Sequence, residues 1–373
     1  MYDRPRFKPH FKVQIIEDDN AVFLLSEEGY YALQGRLYCL LAPYLDGRYS
    51  VDDIIELLAG KASIAEIYYA LELMDNKDYI TEARDDFPAE QLAFWSALGV
   101  EAGAVTEKLK KNRVTVLALG SDSTLPLQSM LQEMQVGIVA EAELTLVLVD
   151  DYLQPELAKL NQQFLQENKS WVLAKASGTV PWLGPLFIPG DTACWECLAQ
   201  RLKNNRNVEE YVRQKQGLVS PVNVSSAALP TTRQMVWNML AIETIRYLLT
   251  GQCLFSQGHM ITLDTRTMKT STHTLTKRPQ CSACGQSAAI HKVPPPPRIQ
   301  SCRKTFILDG GHRYITPEAT LQKFGHHVSP ITGVVKYLNN AAEADPFLKV
   351  YHSGHNFAVN YGNLAYLRNG LRS

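Results

Sequence analysis

The residues best suited to chemistry are four cysteines in two Cys-x-x-Cys pairs, Cys194 and Cys197 in "TACWECL" and Cys281 and Cys284 in "RPQCSACG". Such a turn delivers two sulfurs together, so two of them complete a thiolate tetrahedron around a structural Zn²⁺ and leave no position for a catalytic water. The pairs stand on the order of 80 residues apart, too far for a small zinc ribbon, so the metal would fasten two distant parts of a larger domain. A redox or disulfide use is the other chemistry open to such pairs. His273 and His291 lie near the second pair, but four thiolates already close the coordination and neither is expected as a ligand. Cys39, Cys253 and Cys302 sit in unrelated contexts and read as buried thiols, not as a disulfide framework.

Two further groups of residues could bind without reacting. Tyr30, Tyr31, Ala32 and Leu33 form a short strand, and Ile64, Tyr68, Leu71 and Met74 lie on one face of a following helix. An extended peptide can add itself to a free sheet edge and rest side chains in a groove beside a helix, so these eight residues form a candidate peptide clamp. The competing reading is that apolar residues at helical spacing simply face the core.

The elements that must position these residues follow from periodicity. Alternation at Phe11, Val13 and Ile15, the breaks at "EDDN" and "EEG", and the runs "AVFLLS" and "YYAL" predict three antiparallel strands. Three helices follow, over 37–45, 51–58 and 64–76, the last two opened by Ser50 with Asp53 and Ser63 with Glu66 as capping boxes. "DYITEA" returns as a strand, completing a winged-helix-like unit over 1–85. A DNA-reading version would place cations on the third helix, but "SIAEIYYALELMDNK" carries mostly carboxylates, the wrong sign for phosphates.

A helical stretch over 87–109 leads into α/β alternation: "RVTVLALG", "ELTLVLVDDY", a helix over 154–168, and "SWVLAK". A nucleotide site would need a glycine-rich loop after the first strand, where the chain offers "GSDSTL". Asp150 and Asp151 are read as caps of the following helix, not as metal ligands. The first cysteine pair opens a helix with Asp191 or Thr192 as its cap, "KNNRNVEEYVRQKQG" reads as a partly mobile polar stretch, and a core-packed helix runs from Pro230 to Gly251. Strands "HMITLD" and "STHTLT" deliver the second pair, and Pro294 to Pro297 form a stiff spacer before a last region over 298–373.

Composition narrows the function classes. The chain has 373 residues, 46% of them hydrophobic, and a formal net charge of −1, which supplies no general attraction to nucleic acid or anionic membrane. Neither a signal peptide nor a run of about 18 apolar residues is visible. A cytoplasmic protein that binds no nucleic acid and no membrane is expected.

Taken in order, "ALQGRLYCLLAPYLDGRYS", "AFWSALGV", "VDDYLQPELAKLN", "WLGPLFIPGDTACWECLAQRL", "RPQCSACG", "DGGHRYITPEATLQK" and "SPITGVVKYL" resemble the cyanobactin heterocyclases, which close Cys, Ser or Thr residues of ribosomal precursor peptides into azoline rings. The resemblance implies an α/β protein in three parts. The first, 1–85, is a winged-helix-like leader-peptide recognition element. The second, 86–293, is an α/β zinc domain similar to ubiquitin-activating enzymes, without their ATP site and with zinc on Cys194, Cys197, Cys281 and Cys284. The third, 298–373, is the opening of a YcaO domain. In the family that domain binds ATP and Mg²⁺, phosphorylates the amide oxygen of the cyclised intermediate and expels phosphate. Its acidic clusters are absent here, so the chain alone is expected to bind and present substrate without closing rings. The expected partners are the precursor's leader segment, a separate YcaO protein and a second copy of the chain. An adenylating enzyme and a winged-helix regulator are the competing functions, disfavoured by "GSDSTL" and by the acidic third helix respectively.

Overall fold

The structure, a computed structural model, describes residues 2–84, 86–225, 227–285, 315–340 and 351–355, together with 296, 298 and 301. The expectations placed on His291, Pro294, Pro295, Pro297 and Cys302 lie outside the described residues. Two compact units divide the chain, Met1–Lys111 and Asn112–Ser373.

In the first unit, the expected alternating strands are β2 (Lys12–Ile16), β3 (Ala21–Leu25) and β4 (Tyr30–Gln34), an antiparallel meander. An additional strand, β1 (Pro5–Phe7), pairs with β5 (Ile80–Glu82), Phe7 opposite Ile80. Three residues that include a proline carry no readable period, and the pairing joins segments far apart in the chain. Between β4 and β5 in the chain come α1 (Arg36–Leu41), α2 (Val51–Leu57) and α3 (Ile64–Asn76). Both capping boxes form: Asp53 accepts the Ser50 N–H at 2.8 Å and Glu66 that of Ser63 at 2.7 Å, while each serine oxygen accepts from the backbone three residues on. α3 turns Ile67, Ala70, Leu71 and Met74 into a core shared with Leu24, Leu41 and Ile54. The unit continues past residue 85 through α4 (Ala89–Ala97) and α5 (Ala102–Lys111).

The second unit is built on a six-stranded sheet. Its strands are β6 (Val114–Ala118), β7 (Leu144–Leu148), β8 (Ser170–Lys175), β9 (Trp182–Phe187), β10 (His259–Asp264) and β11 (Lys269–Thr274), in spatial order 11-10-9-8-7-6. β6, β7 and β8 run parallel and the remaining pairs antiparallel. β7 is buried along its whole length, as an apolar run covered on both faces must be, whereas the Ser/Thr-rich β11 is mostly exposed at an edge. The helices are α6 (Leu125–Glu133), α7 (Glu156–Glu167), α8 (Trp195–Asn205), α9 (Asn207–Lys215) and α10 (Pro230–Thr250), the last stopped by Gly251 at φ 74°. After them come α11 (Pro317–Phe324), a 3₁₀ turn (Gly325–His327) and the antiparallel pair β12 (Val335–Asn340) and β13 (Tyr351–His355).

Two expectations are corrected here. The polar stretch read as partly mobile contains the ordered helix α9, in which Arg213 meets Glu210 at 2.7 Å one turn apart; charge pairing at that spacing supports a helix without apolar periodicity. The first cysteine pair is not preceded by a capping Asp191 or Thr192: Cys194 is itself the N-cap residue of α8, and Thr192 instead receives the Ile188 N–H at 2.8 Å.

Candidate metal centre and candidate peptide-binding edge

The metal centre is assembled from two turns that the sheet brings together. Cys194 and Cys197 lie at the start of α8, and the segment leaving β11 returns Cys281 and Cys284 to the same point. All four sulfurs lie within 4.8 Å of one another, with Cys194 to Cys281 at 3.7 Å and Cys197 to Cys284 at 3.6 Å. A Zn–S bond of about 2.3 Å sets sulfurs at tetrahedron corners about 3.8 Å apart, so the cluster has the size of a four-thiolate metal site. These two contacts cross between the two pairs, and the four cysteines are free of disulfides. A metal ion such as zinc fits this donor set; His273 instead bonds Thr262 and Ser329.

Burial and packing prepare the site. Cys194, Cys197 and Cys281 are buried in a core cluster with Trp195, Leu198 and Leu202. Trp195 fixes the start of α8, its backbone N–H donating to Asn161 Oδ1 at 3.0 Å and its indole N–H to the Tyr152 carbonyl at 2.8 Å. The neighbouring Cys194 and the Arg278 N–H, 3.5 Å from the Cys197 sulfur, hold the Cys197 thiol below its ordinary pKa against the opposing effect of burial. The neighbouring Cys197 and burial push the Cys194 thiol up.

The carboxylates at the strand ends do different work from the cap predicted for them. α7 begins at Glu156 with Pro155 as its N-cap residue. Asp150 accepts both the N–H and the hydroxyl of Ser121, at 2.8 and 2.9 Å, and a Cβ on Gly120 would lie 2.6 Å from the Asp150 carboxyl carbon. Asp122, buried nearby, pairs with Arg233 at 2.7 Å. Carboxylate therefore fills the space after β6 where a phosphate-binding loop needs open N–H groups. Asp151 is buried and takes both contacts of the Arg206 Nη1, at 2.8 and 3.0 Å.

Lys175 was not singled out in the sequence, where a strand-end lysine reads as solvated. It is 2% exposed, hydrogen-bonds Ser225 Oγ at 2.9 Å and lies 4.7 Å from the centre of the Trp182 ring. Burial brings its pKa down to about 8.

In the first unit the eight clamp residues divide. Tyr30 is 78% exposed, Tyr31 42% and Ile64 58%; Ala32 is exposed and Tyr68 half-buried. Leu33, Leu71 and Met74 belong to the hydrophobic core and present no surface, because they point to the side of β4 and α3 that the unit covers. Tyr31 leans on Tyr79 and Phe11, ring centres 5.2 and 5.8 Å away. Neither partner was singled out in the sequence, since the cluster forms only by tertiary contact.

The register identifies which backbone groups β4 leaves free. Ser26 N–H donates to Gly29 and Gly35 N–H to Asn20, so those are hydrogen-bonded pairs. In an antiparallel ladder such pairs alternate with non-bonded ones. Tyr31 and Leu33, opposite Leu24 and Val22, therefore spend their N–H groups on β3, while Tyr30, Ala32 and Gln34 direct theirs to the outer edge. Among the described residues β4 has no second neighbour.

The two units thus define a class, a winged-helix unit joined in sequence to an α/β unit with a four-cysteine centre. A model of the winged helix-turn-helix domain matches residues 6–82. The ubiquitin-like modifier-activating enzyme 5 of Dictyostelium discoideum is 31% identical over 116 residues, 30% of this chain and 28% of that protein. A heterocyclase solved in complex with substrate and cofactor is 38% identical with a TM-score of 0.88, covering 99% of this chain and 50% of that one. The heterocyclase TruD is 35% identical with a TM-score of 0.78, covering 89% and 48%. The chain is similar to these heterocyclases, and the cyanobactin heterocyclase resemblance in its sequence fits them, while it spans about half of their length. Among the described residues no helix is long and apolar enough to cross a membrane.

Proposed function

We propose that the chain is the part of an ATP-dependent cyclodehydratase that binds and presents a ribosomally made precursor peptide, whose Cys, Ser or Thr side chains are then closed into thiazoline or oxazoline rings. The observation that carries this reading is the 38% identity over 99% of the chain to a heterocyclase solved with substrate and cofactor. The leader segment adds a strand to β4, taking the outward N–H groups of Tyr30, Ala32 and Gln34, with Tyr31, Ile64 and Tyr68 as apolar contacts. Main-chain pairing gives affinity and side-chain contacts give register. Zinc on Cys194, Cys197, Cys281 and Cys284 is structural: it fixes the start of α8 against the turn after β11. ATP and Mg²⁺ act at a YcaO domain, in this protein or in a partner, where the amide oxygen leaves as phosphate.

An adenylating enzyme is disfavoured by Asp150, whose carboxylate takes the Ser121 donors that a phosphate would need. A DNA regulator is disfavoured by α3, whose Glu66, Glu72 and Asp75 are exposed. The test is to titrate the chain with a fluorescent precursor leader, then to incubate precursor with ATP and Mg²⁺, with and without a YcaO protein, and follow water loss per ring by mass spectrometry. Saturable leader binding, and water loss that requires the YcaO protein, are expected. A chain that binds no precursor leader, or that exchanges pyrophosphate into ATP by itself, overturns the reading.

A further inference from the structure

Ser329, just after the 3₁₀ turn, is buried, and its oxygen accepts the N–H groups of Ile331 and Thr332, each at 3.2 Å. A hydroxyl has two lone pairs and one proton, so that proton spans the 2.9 Å to Nδ1 of buried His273 on β11. Nδ1 is therefore the acceptor, and Nε2 carries the ring proton, donated to Thr262 Oγ1 on β10 at 3.0 Å. On the other side Asn205, the last residue of α8, donates to the Ile331 carbonyl at 2.8 Å. The Ile331 side chain packs on the cluster that contains Cys194 and Cys197. Gly333 closes the turn where a Cβ would collide with the Ser329 backbone.

We infer that the Ser329–Gly333 turn is a plug held in a socket formed by β10, β11 and the end of α8, and that protonation of His273 releases it. An imidazolium carries a proton on both nitrogens. Its Nδ1–H would point at an oxygen whose lone pairs are both taken, so either the Ile331 or the Thr332 amide must let go. The charged and titratable groups of the surrounding elements are Lys269 on β11, His259 and Asp264 on β10, His326 and His327 on the 3₁₀ turn, and Glu196, Cys197, Arg201 and Lys203 on α8. None of them offsets burial, which alone holds His273 below its ordinary pKa.

The docked ring thus binds a proton less readily than a released one. The closed plug is fully favoured above about pH 6.5, and its advantage falls by about tenfold per pH unit below that, until the docked ring itself titrates.

Hydrogen exchange of the full chain between about pH 7.5 and pH 5, corrected for the intrinsic rate, tests this at Ile331 and Thr332. Protection should be flat at the upper end and then fall toward tenfold per unit, while the sheet amides of Val147 and Leu173 hold. His273→Asn keeps an acceptor but does not titrate, so its profile should be flat. Nitrogen NMR of the wild-type ring should place the proton on Nε2. A proton on Nδ1, pH-independent protection in the wild type, a wild-type slope in His273→Asn, or a parallel fall in the sheet amides overturns the proposal.

Discussion

The cysteine centre and the outer edge of β4 are sites of opposite construction. At the centre, function resides in side-chain chemistry: four sulfurs of one type, mostly buried and held in place by α8, β11 and the hydrogen bonds of Trp195. At the edge proposed to receive the leader, the groups on offer are backbone N–H groups that any sequence would carry, free because among the described residues β4 is flanked by β3 alone. A buried, closed site is intolerant of substitution because each lost ligand leaves desolvated partners behind. An edge tolerates most side-chain changes and is sensitive to the loss of an N–H.

The largest effect is expected at the metal. Cys281→Ser should abolish stoichiometric zinc and unfold the second unit, since structural zinc contributes roughly 10 to 16 kcal/mol in small metal domains. Metal analysis with circular dichroism checks it, and retained zinc with an unchanged melt would break the contrast. Next is Arg206→Met, which leaves Asp151 buried without its cation; removing one partner of a buried pair costs about 3–5 kcal/mol, measurable by urea denaturation.

The edge should respond in affinity with little change in stability. Ala32→Pro removes an outward N–H without breaking the β3 ladder, and leader binding should weaken at least about tenfold, or ~1.4 kcal/mol. Tyr31→Pro removes an inward N–H and should destabilise the unit as well. If Ala32→Pro binds leader normally in a fluorescence titration, β4 is not the receiving edge.

A smaller effect sharpens the comparison from the buried side. Lys175 has a folded pKa of about 8 against 10.5 for a free lysine. Between those values the unfolded chain holds a proton that the folded chain has lost, so stability should rise with pH across that window. Lys175→Met should remove this slope and stabilise the protein near neutral pH by on the order of 1 kcal/mol, as the desolvated charge is deleted. Denaturant midpoints at several pH values decide it; a slope that persists in the variant assigns it to another group. The smallest effect is predicted for Glu72→Lys on exposed α3, where leader affinity should change by less than about twofold.

The sequence by itself determined the local chemistry and the local structure. Each Cys-x-x-Cys turn marked a pair of sulfurs, alternation specified β2, β3 and β4, and Ser50 with Asp53 and Ser63 with Glu66 specified the helix starts, because each depends on residues within a few positions of one another; that the two pairs meet, some 87 residues apart, was decided by the fold. What only the tertiary structure decided involves partners distant in the chain. The β1–β5 pairing, the seat of Asp150 on Ser121, the burial of Lys175 under Trp182 and the aromatic contacts of Tyr31 have no local signature. The same holds for the clamp: helical spacing put Leu71 and Met74 on one face, but which face is covered depends on the sheet and helices packed against it. Register, too, is a property of two strands, so the distinction between the inward Tyr31 and the outward Ala32 could not be read from either strand alone.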